Sequence, residues 1–268
     1  MRTFRVATLN IWNRFGPWEE RFRAIRAGVK ALDADVLGLQ EVLRLDPGEG
    51  DELDQAKAIA ADLGYHVAYG RSPDQRWYGN AVLSRWPIHR TEVIDLPRGG
   101  TDERRCLLHA ELDAPFGRLP FFVTHLNWKL DDGHVREEQV LVIVRQVQAL
   151  STRDMLPAVL VGDFNAEPTS DEIRYLHGLT SLGAERRVYF QDAFLLAGDG
   201  SPGFTYARRN QFAAPLREPD RRIDYIFVHG RDERFRCEVL EAALCFDAPI
   251  EGTYPSDHFG VVASLRIE

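Results

Sequence analysis

The chain has 268 residues, of which 44% are hydrophobic and 28% charged, and these values are ordinary for a globular protein. They argue against a disordered chain, and the length fits one large domain spanning residues 1–268. The formal net charge of −8 argues against a protein that grips a long stretch of nucleic acid, because that role needs a basic face.

The three cysteines and the N-terminal segment indicate where the protein works. Cys106, Cys237 and Cys245 are odd in number and contain no Cys-x-x-Cys spacing, which predicts buried thiols rather than a disulfide framework or a zinc knuckle. No apolar signal-peptide core follows Arg2, and no apolar run approaches the ~20 residues that span a membrane. We therefore expect a cytoplasmic protein without a membrane span or an obligate protein partner.

The spacing of apolar residues predicts helices and strands along the whole chain. Helices are expected at Trp18–Leu32, Leu53–Leu63 and Arg136–Leu150, where apolar residues recur every three or four positions. Short apolar or alternating runs predict strands at Phe4–Leu9, Val36–Leu39, Ala81–Ser84, Arg90–Leu96, Cys106–Leu112, Leu119–Thr124, Ala158–Val161, Ile223–Val228, Arg236–Leu244 and Gly260–Ile267.

The order of these elements predicts the fold class. Consecutive strands fill the middle of the chain and helices occur on both sides of them. This pattern favours an α/β (α+β) protein with two packed mixed sheets flanked by helices, rather than an alternating βαβ fold. Loops rich in Gly, Pro and charge lie at Asp46–Glu52, Pro97–Glu103 and Gly198–Asp220, and the last is the longest candidate for a flexible insertion.

Polar side chains stand repeatedly where a predicted strand meets a loop. One such residue alone is more often a turn residue, a helix cap or a structural histidine. Together they supply the ligands and proton carriers of an active site, which α/β proteins usually build at strand ends. The residues are Asn10, Gln40, Glu41, His125, Asp163, Asn165, Asp224, Asp257 and His258.

The types of these residues indicate metal-assisted chemistry. Glu41 and Asp257 are hard oxygen ligands suited to Mg²⁺ or Mn²⁺, and Asn10 adds a neutral oxygen. Asp163 and Asn165 are two positions apart, so in an extended backbone they face the same side while Phe164 faces a core. His258 can act as a general acid, a general base or a cation, and Asp224 can hold its ring.

The order of the motifs resembles the endonuclease/exonuclease/phosphatase superfamily. The resemblance spans Leu9 to Val262 and lies in the motifs Leu9-Asn10, Leu39-Gln40-Glu41, Thr124-His125-Leu126, Gly162-Asp163-Phe164-Asn165, Ile223-Asp224-Tyr225 and Ser256-Asp257-His258. It implies a four-layer α/β/β/α sandwich with the site at one edge of the two sheets.

The same resemblance implies a role for each motif residue. Glu41 is expected to be the principal metal ligand, with Asn10 and Asp257 close to the metal. Asp163, with Asn165 beside it, is expected to orient or deprotonate the attacking water, and Asp224 to activate His258. His125 is expected on the phosphate side. The general base stays open between Asp163 and the His258–Asp224 pair.

Three further residues are candidates for binding the substrate. Arg105 matches a family arginine that can clamp a phosphate, although an ion pair with Asp102 or Glu103 explains it equally well. Asn80 lies in a family-like strand segment or is a turn residue after Gly79. Asn127 is two positions from His125 and is expected to share its face.

These observations predict a metal-dependent phosphoric ester hydrolase, a class that includes phosphodiesterases and phosphomonoesterases. The acidic net charge favours a small or lipid-type phosphoester over a long nucleic acid. The first alternative is an endo- or exonuclease that acts on short or single-stranded DNA. The second, from a different class, is a catalytically silent domain that binds phosphate ligands or a protein.

Overall fold

The computed structural model describes residues 2–45, 53–73, 75, 78–184, 186 and 188–267. Within these residues two six-stranded mixed sheets pack face to face and helices cover their outer faces. The predicted four-layer α/β/β/α sandwich is thereby confirmed. The predicted loop Asp46–Glu52 lies outside the described residues.

The first sheet combines strands from both ends of the chain. Its spatial order is β11-β12-β1-β2-β4-β3, with β1 and β2 parallel and the other neighbours antiparallel. The strands are β1 (Thr3–Asn10), β2 (Val36–Val42), β3 (His66–Gly70), β4 (Gly79–Ser84), β11 (Val239–Cys245) and β12 (Gly260–Arg266).

The second sheet is built from the middle of the chain. Its spatial order is β5-β6-β7-β8-β10-β9, with β7 and β8 as its parallel pair. The strands are β5 (Ile88–Asp95), β6 (Cys106–Ala114), β7 (Gly117–His125), β8 (Val159–Asp163), β9 (Phe190–Asp192) and β10 (Asp224–His229).

The helices lie mainly on the outer faces of the two sheets. Helices α1 (Trp18–Leu32) and α2 (Gln55–Ala60) pack on the first sheet, and α3 (Gly133–Leu150) and α4 (Asp171–Leu176) pack on the second. A short helix, α5 (Ala193–Ala197), contacts β10 and β11 at the edge of the sandwich. None of the helices in these ranges is long and apolar enough to cross a membrane.

Alternation of side chains along each strand forms the three apolar layers. In β1, Phe4 and Val6 face the opposite sheet while Ala7 and Leu9 face α1. Gly38 in β2 lets the sheets approach, because a Cβ atom there would lie 2.3 Å from Val161 Cγ2. Both faces of the central strands are therefore buried, and the site residues Asn10, His125 and Asp163 stand at strand ends.

Most predicted elements are confirmed, with boundaries that differ by a few residues. The helix at Trp18–Leu32 has the predicted limits, whereas α3 begins at Gly133 rather than Arg136. Strands β3 and β9 and helices α4 and α5 were not predicted. Each contains no more than six residues, too few for a reliable periodicity.

Candidate active site

The predicted polar residues converge at one edge of the sandwich. Asn10 ends β1 beside Gln40 of the parallel strand β2, and His125 ends β7 beside Asp163 of β8. Asp224 begins β10 opposite Asp163, because that strand is antiparallel to β8. The segment that precedes β12 brings Asp257 and His258 to the same edge.

A pocket of about 490 Å³ lies at this edge. Its polar lining contains seven of the predicted site residues: Glu41, Arg105, His125, Asp163, Asn165, Asp257 and His258. Trp12, Phe15, Trp128 and Leu216 contribute its apolar lining. One cavity thus joins motifs that are separated by more than two hundred residues.

Asp163 is the acceptor on which the polar groups of the pocket converge. Its Oδ1 accepts the backbone N–H of Asn165 at 2.9 Å, and its Oδ2 accepts Asn10 Nδ2 at 3.0 Å. The Nε2 atoms of His125 and His258 lie 3.4 and 3.7 Å from the same Oδ2. Burial is the main cause that raises the pKa of Asp163, followed by the charge of Asp224.

His258 and Asp224 form the predicted pair. His258 Nδ1 lies 2.9 Å from Asp224 Oδ2, and Asp224 is fully buried. Burial opposes the charge of the imidazolium, but the carboxylates of Asp224, Asp163 and Asp257 outweigh burial and hold the pKa of His258 well above its usual value. The ring therefore presents Nε2–H to the pocket.

Thr205 holds together the two segments that carry this pair, and no sequence motif predicted this role. Its hydroxyl accepts the backbone N–H groups of Ile223 and Asp224 at 3.0 and 3.1 Å. Its carbonyl accepts the N–H of Phe259 at 2.7 Å. Thr205 lies in the predicted Gly198–Asp220 loop, which is thus hydrogen-bonded directly to the site.

Glu41 enters the pocket through an irregularity at the end of β2. The pairing of β2 with β4 shifts register between Leu39 and Val42, and Glu41 adopts a left-handed backbone with φ 57°. Asn165 has φ 50° and likewise departs from the extended backbone assumed in its prediction. Non-glycine residues in this conformation are uncommon and often mark functional sites.

Asn10 acts differently from the oxygen ligand predicted. Its Oδ1 accepts the backbone N–H of Trp12 at 2.9 Å, while its Nδ2 donates to Glu41 Oε1 at 3.1 Å and to Asp163. The amide therefore links two carboxylates through its nitrogen. Asn10 thus orders the acidic groups, and its role as a metal ligand stays a prediction.

The donor set at Glu41 and Asp257 fits a divalent cation. Burial raises the pKa of both carboxyls, that of Asp257 to about 6, and the charge of Glu41 contributes to the shift at Asp257. Their hydrogen bonds come from neutral groups, Asn10 Nδ2 and the hydroxyl of Ser256. A buried carboxylate beside a half-buried one, both with neutral partners, is costly, and a hard cation such as Mg²⁺ or Mn²⁺ compensates their charge.

A second acidic group could also offer metal ligands. Ligand atoms of Asp163, Asp224 and His258 lie within 4.8 Å of one another. The Nδ1 atom of His258 already binds Asp224, and this pairing is typical of a proton-transfer or electrostatic role. The carboxylates of Glu41 and Asp257 are therefore the better fit to a cation.

Arg105 is buried and paired with protein groups. Its Nη2 lies 3.3 Å from Glu103 Oε2, which confirms the ion-pair alternative, and its Nη1 lies 2.9 Å from His125 Nδ1. Only 4% of the residue is exposed. Its guanidinium thus contacts Glu103 and His125 at the pocket, and a contact with the phosphate stays a prediction.

Asn80 and Asn127 lie outside the lining of the main pocket, and both side chains bind protein groups. Asn80 is buried within β4, where its Nδ2 donates to the carbonyls of Cys106 and Val123 at 3.0 and 3.3 Å and ties the two sheets together. Asn127 Oδ1 accepts the backbone N–H of Lys129 at 2.9 Å and shapes the turn after β7. Asn80 is therefore a tie between the sheets rather than a turn residue, and a substrate contact by either side chain stays a prediction.

Arg21 is a buried site residue that sequence reasoning missed. Its side chain is fully buried and donates to the backbone carbonyls of Ile11, Trp12, Asn13, Phe15 and Pro255. Burial lowers the pKa of Arg21 to about 10, while the charges of Asp257 and Glu41 oppose that shift. The available signal was its position four residues before Ile25 on the apolar face of α1.

Four of the five arginines of the Gly198–Asp220 loop and its border are paired with acids. Arg208 pairs with Asp220 and Arg209 with Asp247. Arg221 pairs with Glu218 and the buried Arg222 with Asp192. The positive charge of these arginines is therefore largely neutralised beside the pocket.

Comparison with known proteins gives one family and one fold. The model of the endonuclease/exonuclease/phosphatase family matches residues 7–258. The uncharacterised Escherichia coli protein YbhP is 26% identical over 238 residues, which cover 84% of this chain and 85% of YbhP.

Two solved structures extend the comparison to three dimensions. An endonuclease/exonuclease/phosphatase from Beutenbergia cavernae superposes with a TM-score of 0.75 at 27% identity, over 99% of this chain and 72% of that one. TDP2 of D. rerio, solved with a single-stranded DNA product, has a TM-score of 0.79 at 17% identity, over 99% and 100% of the two chains. At 17% identity, the similarity to TDP2 is evidence about the fold alone.

Proposed function

The chain belongs to the endonuclease/exonuclease/phosphatase family, and from this we propose that it is a divalent-metal-dependent phosphoesterase. The observation that carries the proposal is the meeting of Glu41 and Asp257 with Asp163 and the His258–Asp224 pair in one pocket. This combination supplies a cation site, a carboxylate for water and a charged imidazole for the phosphate.

Glu41 and Asp257 are the proposed ligands of Mg²⁺ or Mn²⁺, and Asn10 keeps the Glu41 carboxylate beside Asp163. When bound, the metal polarises the phosphoester and stabilises the negative charge that develops on it. Arg21 holds the backbone on both sides of this cation site, because it bonds to carbonyls that follow Asn10 and precede Asp257.

Asp163 is the proposed base for the attacking water. Its carboxylate is oriented by Asn10 and by the N–H of Asn165, and it accepts the proton as the water oxygen bonds to phosphorus. His258 is held in its charged form by the surrounding carboxylates. Its Nε2–H donates to a phosphoryl oxygen or to the leaving oxygen as the ester bond breaks.

A small or compact phosphoester is the proposed substrate. The pocket holds about 490 Å³, and its two arginines, Arg105 and Arg221, are each paired with a glutamate. Its rim exposes Phe15, Trp128 and Leu216 to 57%, 52% and 62%. A ligand with one phosphate beside an apolar or aromatic group matches this distribution of charge and apolar surface.

Short single-stranded DNA is the second candidate substrate. The TDP2 structure holds a single-stranded DNA product, and the exposed rings of Phe15 and Trp128 at the rim can stack on bases. The net charge of −8 and the paired arginines weigh against a long nucleic-acid track. For this reason the nuclease stands second.

Hydrolysis by the purified protein tests both candidates. The panel contains an aryl phosphodiester, a choline phosphodiester, a phosphoinositide, single-stranded DNA and an abasic duplex, each with Mg²⁺, Mn²⁺ or EDTA. We expect metal-dependent turnover of the small esters. Turnover of DNA alone, with a rate that falls steeply with salt, would favour the nuclease instead.

Two variants separate an enzyme from a silent binding domain. Glu41→Gln should reduce metal-dependent hydrolysis by about 10²-fold or more, because it removes a ligand charge. Glu20→Gln, at an exposed position of α1, should leave the rate unchanged. If no ester is hydrolysed, or if Glu41→Gln is as active as wild type, the proposed function is wrong.

A further inference from the structure

The Nδ1 atoms of the two site histidines face opposite kinds of partner. His258 Nδ1 meets the carboxylate of Asp224 at 2.9 Å, and His125 Nδ1 meets the guanidinium of Arg105 at the same distance. Both rings are buried, and both Nε2 atoms face Asp163 Oδ2. The difference at Nδ1 gives the two rings different protonation.

A guanidinium fixes the tautomer of the imidazole that it contacts. Arginine has N–H donors and no acceptor, so the nitrogen facing Arg105 Nη1 must carry a lone pair. The ring proton of His125 therefore resides on Nε2, 3.4 Å from Asp163 Oδ2. A doubly protonated His125 would direct an N–H group at the guanidinium.

We propose that Arg105 is a positioning residue that holds His125 as the neutral Nε2–H tautomer, a hydrogen-bond donor that transfers no proton. Glu103 anchors the far side of the guanidinium at 3.3 Å, which keeps Nη1 directed at the ring. The inference rests on the proposed function, because the group that would receive the hydrogen bond is the phosphoryl oxygen of the substrate.

Electrostatics supports this assignment. Burial lowers the pKa of His125 well below its usual value, and the charges of Arg105 and His258 lower it further. The two histidines therefore have different roles. His258 presents a cation, whereas His125 presents a neutral N–H whose hydrogen bond strengthens as the phosphoryl oxygen gains charge.

Nitrogen NMR of the full-length protein with ¹⁵N-labelled histidine tests the tautomer without requiring catalysis. The His125 signals are identified by their loss in His125→Gln, and spectra are recorded with EDTA and with Mg²⁺. We expect an unprotonated Nδ1 and a protonated Nε2 from pH 8 down to about pH 5.5. A protonated Nδ1, or an imidazolium at pH 7, would overturn the proposal.

Variants at Arg105 test the cause of the tautomer. Arg105→Lys keeps a donor and should keep the Nε2–H form, whereas Arg105→Glu supplies an acceptor and should move a proton to Nδ1. Arg221→Gln removes the other paired arginine of the pocket and should leave the His125 signals unchanged. If Arg105→Glu folds and His125 keeps its Nε2–H tautomer, the assigned role of Arg105 is wrong. If that variant does not fold, the wild-type spectrum alone decides the tautomer of His125.

Kinetics separates positioning from phosphate binding. Arg105→Gln should lower kcat about 10- to 100-fold with little change in KM, and Arg105→Lys should restore part of the loss. A rise in KM with unchanged kcat would identify Arg105 as a phosphate clamp. If the wild type hydrolyses nothing, the proposed function fails while the NMR result still decides the tautomer.

Discussion

Asp163 and its four polar neighbours show how single residues acquire their roles from their partners. Asn10 and Asn165 donate to the carboxylate, and two imidazole rings face its Oδ2. Each neighbour comes from a different motif. A change at one of them therefore alters the charge or orientation of the others.

The pair of His258 and Asp224 provides a prediction at this scale. Asp224→Asn should lower kcat about 10²- to 10⁴-fold, because the amide neither stabilises the imidazolium nor sets its tautomer. The free energy of unfolding should fall as well, because the buried imidazolium of His258 loses its nearest counterion. Steady-state kinetics and urea unfolding check both statements.

Asp220→Asn is the control for this variant, because Asp220 is a neighbouring acid that pairs with the exposed Arg208. It should leave kcat unchanged. Activity of Asp224→Asn within threefold of wild type would show that the pair does not contribute to the reaction.

Arg21 provides a second prediction at the residue scale. Arg21→Met should lower the free energy of unfolding by at least about 3 kcal/mol, because it leaves five backbone carbonyls without their donor. Arg21→Lys should recover little of this, since one ammonium has three donors in a different geometry. The exposed Arg23→Met on the same helix is the control, and equal urea midpoints for the two Met variants would refute the role.

Short irregular segments at the strand ends, rather than the strands themselves, direct the functional groups. Glu41 and Asn165 have positive φ values, and the register shift in β2 interrupts the alternation that would otherwise decide where Glu41 points. Thr205 then fixes β10 against the segment that precedes β12. The two sheets hold the strand ends close together, and these irregular segments set the direction of the functional side chains.

The contact between α3 and α4 carries a prediction at the scale of elements. Arg136 Nε donates to Glu172 Oε1 at 2.6 Å, and both side chains are buried. Arg136 also donates to the carbonyl of Lys129 and thus supports the turn after His125. Glu172→Gln should cost about 3 kcal/mol of unfolding free energy, because it leaves a buried guanidinium without its counterion.

Arg174→Gln tests the specificity of that effect within the same helix. Arg174 pairs with Asp171 at 3.0 Å, but both side chains are about half exposed. Loss of this ion pair should lower the free energy of unfolding by less than about 1 kcal/mol. Urea unfolding of the two variants should therefore give clearly different midpoints, and similar midpoints would show that the α3–α4 pair adds no stability.

The stability of the whole molecule should depend on pH through a buried histidine outside the site. His109 in β6 is fully buried and stacks on Phe122 at 4.6 Å, and its two nitrogens lack partners among the described residues. Burial lowers the pKa of His109 to about 4, and the charge of Arg90 adds to the effect. Between pH 6.5 and 4 the unfolded chain binds a proton at this position that the folded protein does not bind.

Folding stability should therefore fall as pH decreases through this window, by about 3 kcal/mol at most from His109. His109→Phe keeps an aromatic ring on Phe122 and removes the titrating group, so it should flatten the decline. His66→Gln, at an exposed position, is the control and should leave the profile unchanged. Urea unfolding at several pH values measures the slopes, and equal slopes for wild type and His109→Phe would contradict this account.

Much of the architecture was determined by the sequence itself. The apolar periodicity of Trp18–Leu32 and the apolar runs before Asn10, His125 and Asp163 require amphipathic and buried elements, and these elements formed where predicted. The predicted class of two sheets between helices is confirmed by the structure. The placement of polar residues after buried strands brought most of the candidate site together, because parallel strands end at the same edge.

The tertiary structure decided the partners, because a partner across the fold leaves no local pattern in the sequence. Arg105 became the neighbour of His125, Asn80 a tie between the sheets, and Arg21 the support of the pocket. The single-domain organisation and the cytoplasmic location stay predictions. Composition and periodicity reflect what a segment must bury, whereas roles depend on which distant groups satisfy its polar atoms.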